Sequence, residues 1–248
     1  MKIIESEIFK RFPEIVFGFS TKIGLNRGAP YWFNMSHSVT ENRDEVNENR
    51  TAFLNALGLS LENFAWQKQV HGNEIKIVNS PGYQGESDAL ITDRQGIALG
   101  VFSADCTTIF LYDKNRKVIA AVHSGWRGTA KKILPKVLNL LTEKYSSSPY
   151  DLSAYIAPSI SQKNYEVGAE VAERFAKKYL IEKSNGKFLL DVPAVNYDYL
   201  LEFGIPAENI ERSKLCSYET EYLQSYRRDG KISGRATGVI MMRSDTNF

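Results

Sequence analysis

Residues 97–125 read IALGVFSADCTTIFLYDKNRKVIAAVHSG. Three runs rich in β-branched and aromatic residues (97–103, 107–112 and 118–122) are separated by Ala104-Asp105-Cys106 and Asp113-Lys114-Asn115. Runs this short, most of them bounded by turn formers, are strands. The gaps are too short to hold a helix each, so much of the sheet is antiparallel. The same texture extends upstream, where 64–70, 74–78 and 88–92 read as strands around the Pro81-Gly82 turn.

Further out the pattern changes. Residues 15–21 form a strand, and 24–30 a loop with two glycines and a proline. Thr40 is a candidate helix cap, with Glu41, Asp44 and Glu45 complementing the positive end. Val46, Arg50, Phe53, Leu54 and Leu57 make one helical stripe, which Gly58 stops. Downstream, a helix is expected over 128–145, kinked at Pro135, then a strand at 152–157. Helices at 168–179 and 193–203 and strands at 210–216 and 237–242 complete the reading. The fold class is α+β, mixed sheet with helices outside it, without regular βαβ alternation. No repeat or linker divides the chain, so residues 1–248 are expected to form a single domain.

Composition narrows the function. A chain of 248 residues needs no disulfide to stay folded. A net charge of +2, with no block of like charges, speaks against a nucleic-acid binder. The N-terminus has no apolar segment of signal-peptide type, and the apolar runs fall far short of the ~20 residues a membrane span needs. The two cysteines, Cys106 and Cys216, fit free thiols in a cytoplasmic protein. No protein partner can be inferred.

Two of the three histidines share a setting: Gln69-Val70-His71-Gly72 and Ala121-Val122-His123-Ser124-Gly125. Both follow strands and open toward glycine, and Cys106 follows another strand. Strand ends carrying His71, Cys106 and His123 can converge at one rim. Two imidazoles and a thiolate suit zinc, and three protein ligands leave the fourth position of a catalytic site open. The competing reading is three unrelated, separately satisfied residues. Asp105 adjoins Cys106 and is a candidate partner for a ligand histidine, or else a turn aspartate. Ser124-Gly125-Trp126-Arg127-Gly128-Thr129 turns a strand into a helix. A helix start at Gly128 with Arg127 beside it would hold phosphate; alternatively the glycines only turn the chain and Arg127 is solvated. Arg227 and Arg228, in Ser225-Tyr226-Arg227-Arg228-Asp229-Gly230, are open to the same two readings.

Gln-Val-His-Gly at 69–72, Ala-Asp-Cys at 104–106 and His-Ser-Gly-Trp-Arg-Gly-Thr at 123–129 resemble the YfiH family. Its members are also called laccase-domain proteins or multifunctional purine nucleoside enzymes. Asn34, Glu48-Asn49-Arg50, Ser87-Asp88-Ala89-Leu90 and Tyr165-Glu166-Val167-Gly168 extend the likeness over nearly the whole chain. So do the 225–230 segment and Gly234-Arg235. The resemblance implies one α/β/β/α layered domain with zinc on His71, Cys106 and His123. It also implies phosphorolysis of adenosine, inosine, guanosine and methylthioadenosine, and deamination of adenosine. Purine nucleoside and phosphate are then the partners, with Arg127, Gly128, Asn34 and Arg227 as candidate contacts. One departure stands out: His37 lies one position off the histidine that many members carry, and no role is assigned to it.

Three chemistries compete. Zinc lowers the pKa of bound water to about 7, which suits deamination, while an oriented phosphate suits phosphorolysis. A cysteine hydrolase would use Cys106 with His71 or His123 as base, and precursor editing of peptidoglycan has been linked to such proteins. A copper polyphenol oxidase, which the laccase name suggests, needs more than three histidines for its several coppers, although one copper could occupy the site.

Overall fold

The computed structural model describes residues 1–39 and 42–244. Along the chain come β1 (Ile3–Ile4), β2 (Ile15–Ser20), α1 (Arg43–Ala56), β3 (Phe64–Lys68), β4 (Ile75–Ile77), β5 (Gly82–Glu86) and β6 (Ala89–Thr92). Next are β7 (Ala98–Ser103), β8 (Thr107–Asp113), β9 (Val118–Ser124), α2 (Trp126–Ala130) and α3 (Ile133–Tyr145). Then follow β10 (Leu152–Ile156), β11 (Glu166–Val167), α4 (Ala169–Ala172), β12 (Leu180–Glu182) and β13 (Phe188–Leu190). The last are α5 (Val192–Phe203), β14 (Ile210–Arg212), α6 (Tyr226–Asp229) and β15 (Ala236–Met242).

Two six-stranded sheets result, ordered β1-β2-β15-β7-β3-β5 and β14-β10-β8-β9-β6-β4. Alternation along the strands shows how they stack. In β8, Phe110 and Tyr112 enter the core shared by both sheets, while Ile109 and Leu111 enter a second core with Val137, Leu138 and Leu141 of α3. In β15, Ile240 and Met242 face the shared core, whereas Val239 and Met241 join Phe53 and Leu54 of α1. Each sheet is therefore covered on both faces, which is why β7, β8 and β9 are buried at every position. The layers run α/β/β/α. Antiparallel pairs dominate the centre, and β3–β5, β3–β7, β4–β6 and β10–β14 are parallel. A small sheet, β11-β13-β12, packs beside α4 and α5.

Several local expectations change. The helix expected over 128–145 is two helices, because Lys132 adopts the left-handed conformation (φ 57°) between them. Pro135 lies in the first turn of α3, where its missing N–H has no intrahelical partner to lose, so it does not kink the helix. The helix expected over 168–179 shrinks to α4 and a 3₁₀ turn at Lys177–Tyr179, as Val171, Ala172 and Tyr179 seat in the small core. The strand expected over 210–216 is continuous only through Arg212 and touches the sheet's neighbour again at Cys216, which bridges to Ser159. The cap expected at Thr40 lies outside the described residues; Asn42 caps α1, accepting from the Asp44 N–H at 2.9 Å. Among the described residues, no helix is long and apolar enough to cross a membrane.

Gly238 in β15 exists because the facing sheet leaves no room. A Cβ there would lie 2.2 Å from Cζ of Phe110 and 3.0 Å from Cδ2 of Phe19. Gly238→Ala is expected to cost about 1–3 kcal/mol by overpacking a close-packed core. Urea denaturation measures it; an unchanged midpoint would mean the Phe110 ring has space to retreat.

Candidate metal centre

The site forms at the rim between the two sheets. His71 lies just beyond β3 of the first sheet, and His123 is the penultimate residue of β9 in the second. Cys106 sits where the chain passes from β7 in one sheet to β8 in the other. The three donor atoms lie within 4.8 Å of one another, and the two imidazole rings meet edge to face with centroids 4.9 Å apart. His123 is buried, Cys106 half-buried and His71 exposed, so the trio has a solvent-facing flank.

Each donor is held from behind. The Gln69 side chain bonds the Phe102 backbone twice: its amide nitrogen donates to the carbonyl (2.8 Å) and its oxygen accepts from the N–H (2.6 Å). This continues the β3–β7 pairing after the strand itself has ended, and it fixes the chain just before His71. The 103–106 turn carries Asp105 at φ 92°, and Ser103 Oγ donates to the Cys106 carbonyl at 2.6 Å. Gly125 approaches so closely that a Cβ there would lie 2.9 Å from Cys106 Sγ.

The carboxylate that meets a ligand histidine is Asp88, not Asp105. Asp88 is fully buried, and its Oδ1 lies 2.8 Å from His123 Nδ1, leaving Nε2 as the ring nitrogen for the Cys106 side. Asp105 instead accepts from Ser217 Oγ and from the Arg227 backbone N–H, both at 2.6 Å. Its left-handed conformation turns it away from the imidazoles and toward the 217 and 227 segments.

Burial alone would raise the Cys106 thiol, but hydrogen bonds and charge from His123 and His71 outweigh it and hold the thiol down to about 6. Burial would lower His123, and Asp88 and Cys106 reverse this and raise it to about 9. Burial likewise opposes ionisation of Asp88, yet contact with His123 and the N–H groups of Gly72 and His71 holds its carboxyl below the usual range. In the metal-free protein these three groups therefore favour a carboxylate, an imidazolium and a thiolate.

The remaining candidates separate. Arg127 is exposed, with its guanidinium 4.4 Å from the Trp126 ring centroid. Arg227 donates to the carbonyls of Glu166 (3.1 Å) and Asn164 (3.4 Å) and covers the Tyr165 ring. Gly128 does not begin the helix; it is buried within α2, and a Cβ there would lie 3.0 Å from the Gly72 carbonyl oxygen. It permits α2 to pack against the His71 loop. Asn34 is fully buried, with its side chain donating to the Ser36 carbonyl and accepting from the N–H groups of Ser36 and Arg235. It pins two loops together and is not turned to the trio. His37 is exposed and is not part of the donor cluster. Arg228 spends its guanidinium on Asp229 and on four backbone carbonyls, including those of Ser217 and Leu223. Cavities of about 520 and 390 Å³ flank the 212–214 segment, and none of the three donors lines either.

Asp88 and Gln69 are the supports that spacing did not assign. Asp88 had two signals: its place in the Ser87-Asp88-Ala89-Leu90 stretch that resembles the family, and an acid directly before the wholly apolar run Ala89-Leu90-Ile91.

An α/β/β/α protein with a histidine–cysteine–histidine cluster at the seam of its sheets is thus defined. The family model described as multi-copper polyphenol oxidoreductase laccase matches residues 16–243, and the chain belongs to that family. Its members include enzymes. The purine nucleoside phosphorylase YfiH of Shigella flexneri is 32% identical over 90% of this chain and 92% of its own length. The adenosine deaminase RL5, from an unknown prokaryotic organism, is 31% identical over 95% of this chain and 98% of its own. The crystal structure of Bacillus licheniformis YfiH superposes with a TM-score of 0.91 at 26% identity, covering 97% of this chain and 96% of that one.

Proposed function

We propose that this chain is a zinc-dependent purine nucleoside enzyme that phosphorolyses adenosine, inosine, guanosine and methylthioadenosine and also deaminates adenosine. Residues 1–248 act as one catalytic domain in the cytoplasm, where Cys106 and Cys216 stay out of disulfides. The observation that carries the reading is the cluster of His71, Cys106 and His123, with one thiolate and two imidazole donors and an exposed flank. Such a donor set fits zinc, and the named activities of the YfiH and RL5 relatives supply the substrate class.

His71, Cys106 and His123 would hold the zinc, which when bound would supply Lewis acidity and lower the pKa of water toward neutrality. The chain supplies the rest. Asp88 holds His123 in one ring orientation. Asp105 anchors the Arg227 backbone and so ties the 225–230 segment to the Cys106 turn. Phosphate is a polyanion, and forked guanidinium groups take it two oxygens at a time. Arg127, two residues beyond the glycine that abuts Cys106, is the cation assigned to it, with Arg227, on the segment that Asp105 ties to the Cys106 turn, as its partner.

The test is metal analysis of protein purified without a metal-affinity tag, together with adenine and inosine release from adenosine with and without phosphate. Zinc near one per chain, adenine only with phosphate, and loss of both products on chelation are expected. Arg127→Ala should lower phosphorolysis by roughly 10- to 150-fold, from the loss of a charge-assisted hydrogen bond of about 1.5–3 kcal/mol. Deamination, which uses water, should change much less. Equal losses in both reactions would mean that Arg127 supports the whole site.

A second reading has its own observation. A thiol held down to about 6 beside two imidazoles is an activated nucleophile, and a cysteine hydrolase, including one that edits peptidoglycan precursors, could use Cys106. Chelation separates the two, since a thiol nucleophile keeps working without metal. Copper is the alternative ion for the trio. A multicopper oxidase site is not supported, because the chain has three histidines and His37 stands apart.

A further inference from the structure

We propose that Asp88 is the positioning residue that couples His71 and His123 into a single ligand set. The inference rests on the zinc reading above. A carboxylate has about four acceptor sites. Those of Asp88 meet four N–H groups or ring nitrogens, three of which belong to the loop bearing one ligand and the fourth to the other ligand. Oδ1 accepts from the His71 N–H (3.0 Å) and faces His123 Nδ1 (2.8 Å). Oδ2 accepts from the N–H groups of Gly72 (2.6 Å) and Val70 (3.3 Å). The Asp88 backbone also takes part, its carbonyl accepting from the His123 N–H at 2.7 Å.

These contacts do two different things. The loop contacts hold His71 at φ 56°, a left-handed conformation that costs a non-glycine residue energy and needs bracing from outside. The ring contact requires the proton of neutral His123 to be on Nδ1, which leaves the Nε2 lone pair for a metal. One side chain thus sets both the place of the first ligand and the tautomer of the second. An asparagine of the same shape cannot do both. With its oxygen toward His123, its NH₂ opposes the N–H groups of Val70 and Gly72. With its oxygen toward the loop, its NH₂ donates to Nδ1 and puts the ring proton on Nε2, in the metal's place.

Asp88→Asn and the smaller Asp88→Ser are therefore compared with wild type for Zn²⁺ affinity by competition with a chromophoric chelator, with binding counted per folded molecule by circular dichroism. Co²⁺ spectra report the thiolate ligand independently of activity. Affinity in either folded variant is expected to fall by about 10- to 100-fold, the range for losing a partner of a metal-bound histidine, with weakened or shifted Co²⁺ bands. Lower thermal stability with wild-type affinity and wild-type Co²⁺ bands in a folded variant would make Asp88 merely structural and overturn the inference. A wild type that binds neither ion overturns the zinc reading and this inference together.

Discussion

Cys106→Ala is expected to leave a folded protein that has lost its zinc. Apparent binding free energies of about 10–16 kcal/mol for four-ligand zinc sites correspond to about 2.5–4 kcal/mol per ligand, so losing one weakens binding about 10²- to 10³-fold. The side chain is half-buried and small, and the turn that carries it is held by the Ser103 hydroxyl, which donates to the Cys106 carbonyl, and by Asp105, so truncation leaves the local fold in place. Cys216→Ala is the control. Its sulfur accepts from the Ser161 N–H (3.3 Å) and the Asn164 amide (3.4 Å), and it is not part of the donor cluster. Zinc per chain, measured by atomic emission after dialysis, should drop in the first variant and hold in the second. Equal zinc in Cys106→Ala and wild type would remove Cys106 from the ligand set, whatever happens to activity.

The three donors were legible because each stands beside strand-forming residues in a chain with few histidines and cysteines. Mixed sheet with helices outside it was legible from the short strand runs, whereas the α/β/β/α order came from the family resemblance; burial of β8 at every position is what two covered faces require. What spacing could not supply was the partner across the fold. Asp88 and Asp105 are both acids next to strands, and which of them reaches His123 depends on how β6 lies against β9, with Ala89 opposite Val122. That is a register fact, set by packing. The short hairpin of β12 and β13 was missed although Asn185-Gly186 marks its turn, with Gly186 at φ 71°. Gly128 was assigned to an anion because glycine after arginine fits a helix start equally well. Its actual reason is the Gly72 carbonyl 3.0 Å from where its Cβ would be, a contact between segments far apart in sequence.

Gly125→Ala should disable the metal centre as thoroughly as deleting the thiol, although it removes no ligand. The backbone there has φ −64° and ψ 171°, a region open to alanine, so the substitution strains no torsion. Alanine is a poorer helix N-cap than glycine by less than about 1 kcal/mol, a cost to the start of α2 that leaves the ligand set untouched. The consequence lies in the new methyl, 2.9 Å from Cys106 Sγ, 3.6 Å from Cys106 Cβ and 3.5 Å from His71 Cδ2. The sulfur contact is too short to persist, so one side must yield. Gly125 cannot easily withdraw, since its carbonyl accepts from the Thr129 N–H at 2.9 Å and the next residue starts α2. The Cys106 backbone is tethered by Ser103 and, through Asp105, by Ser217 and Arg227. The escape left is rotation about the cysteine side-chain bond, which carries Sγ away from the imidazoles. Metal–ligand distances tolerate only about 0.2 Å of error, so that rotation costs the thiolate bond and an affinity loss of about 10²- to 10³-fold. Zinc competition measures the loss, and thiol titration at saturating zinc supplies a second readout: Cys106 is shielded in wild type and reacts in the variant. If Gly125→Ala binds zinc as wild type and shields its thiol, the 2.9 Å approach does not constrain the sulfur, and the crowding argument for this glycine fails.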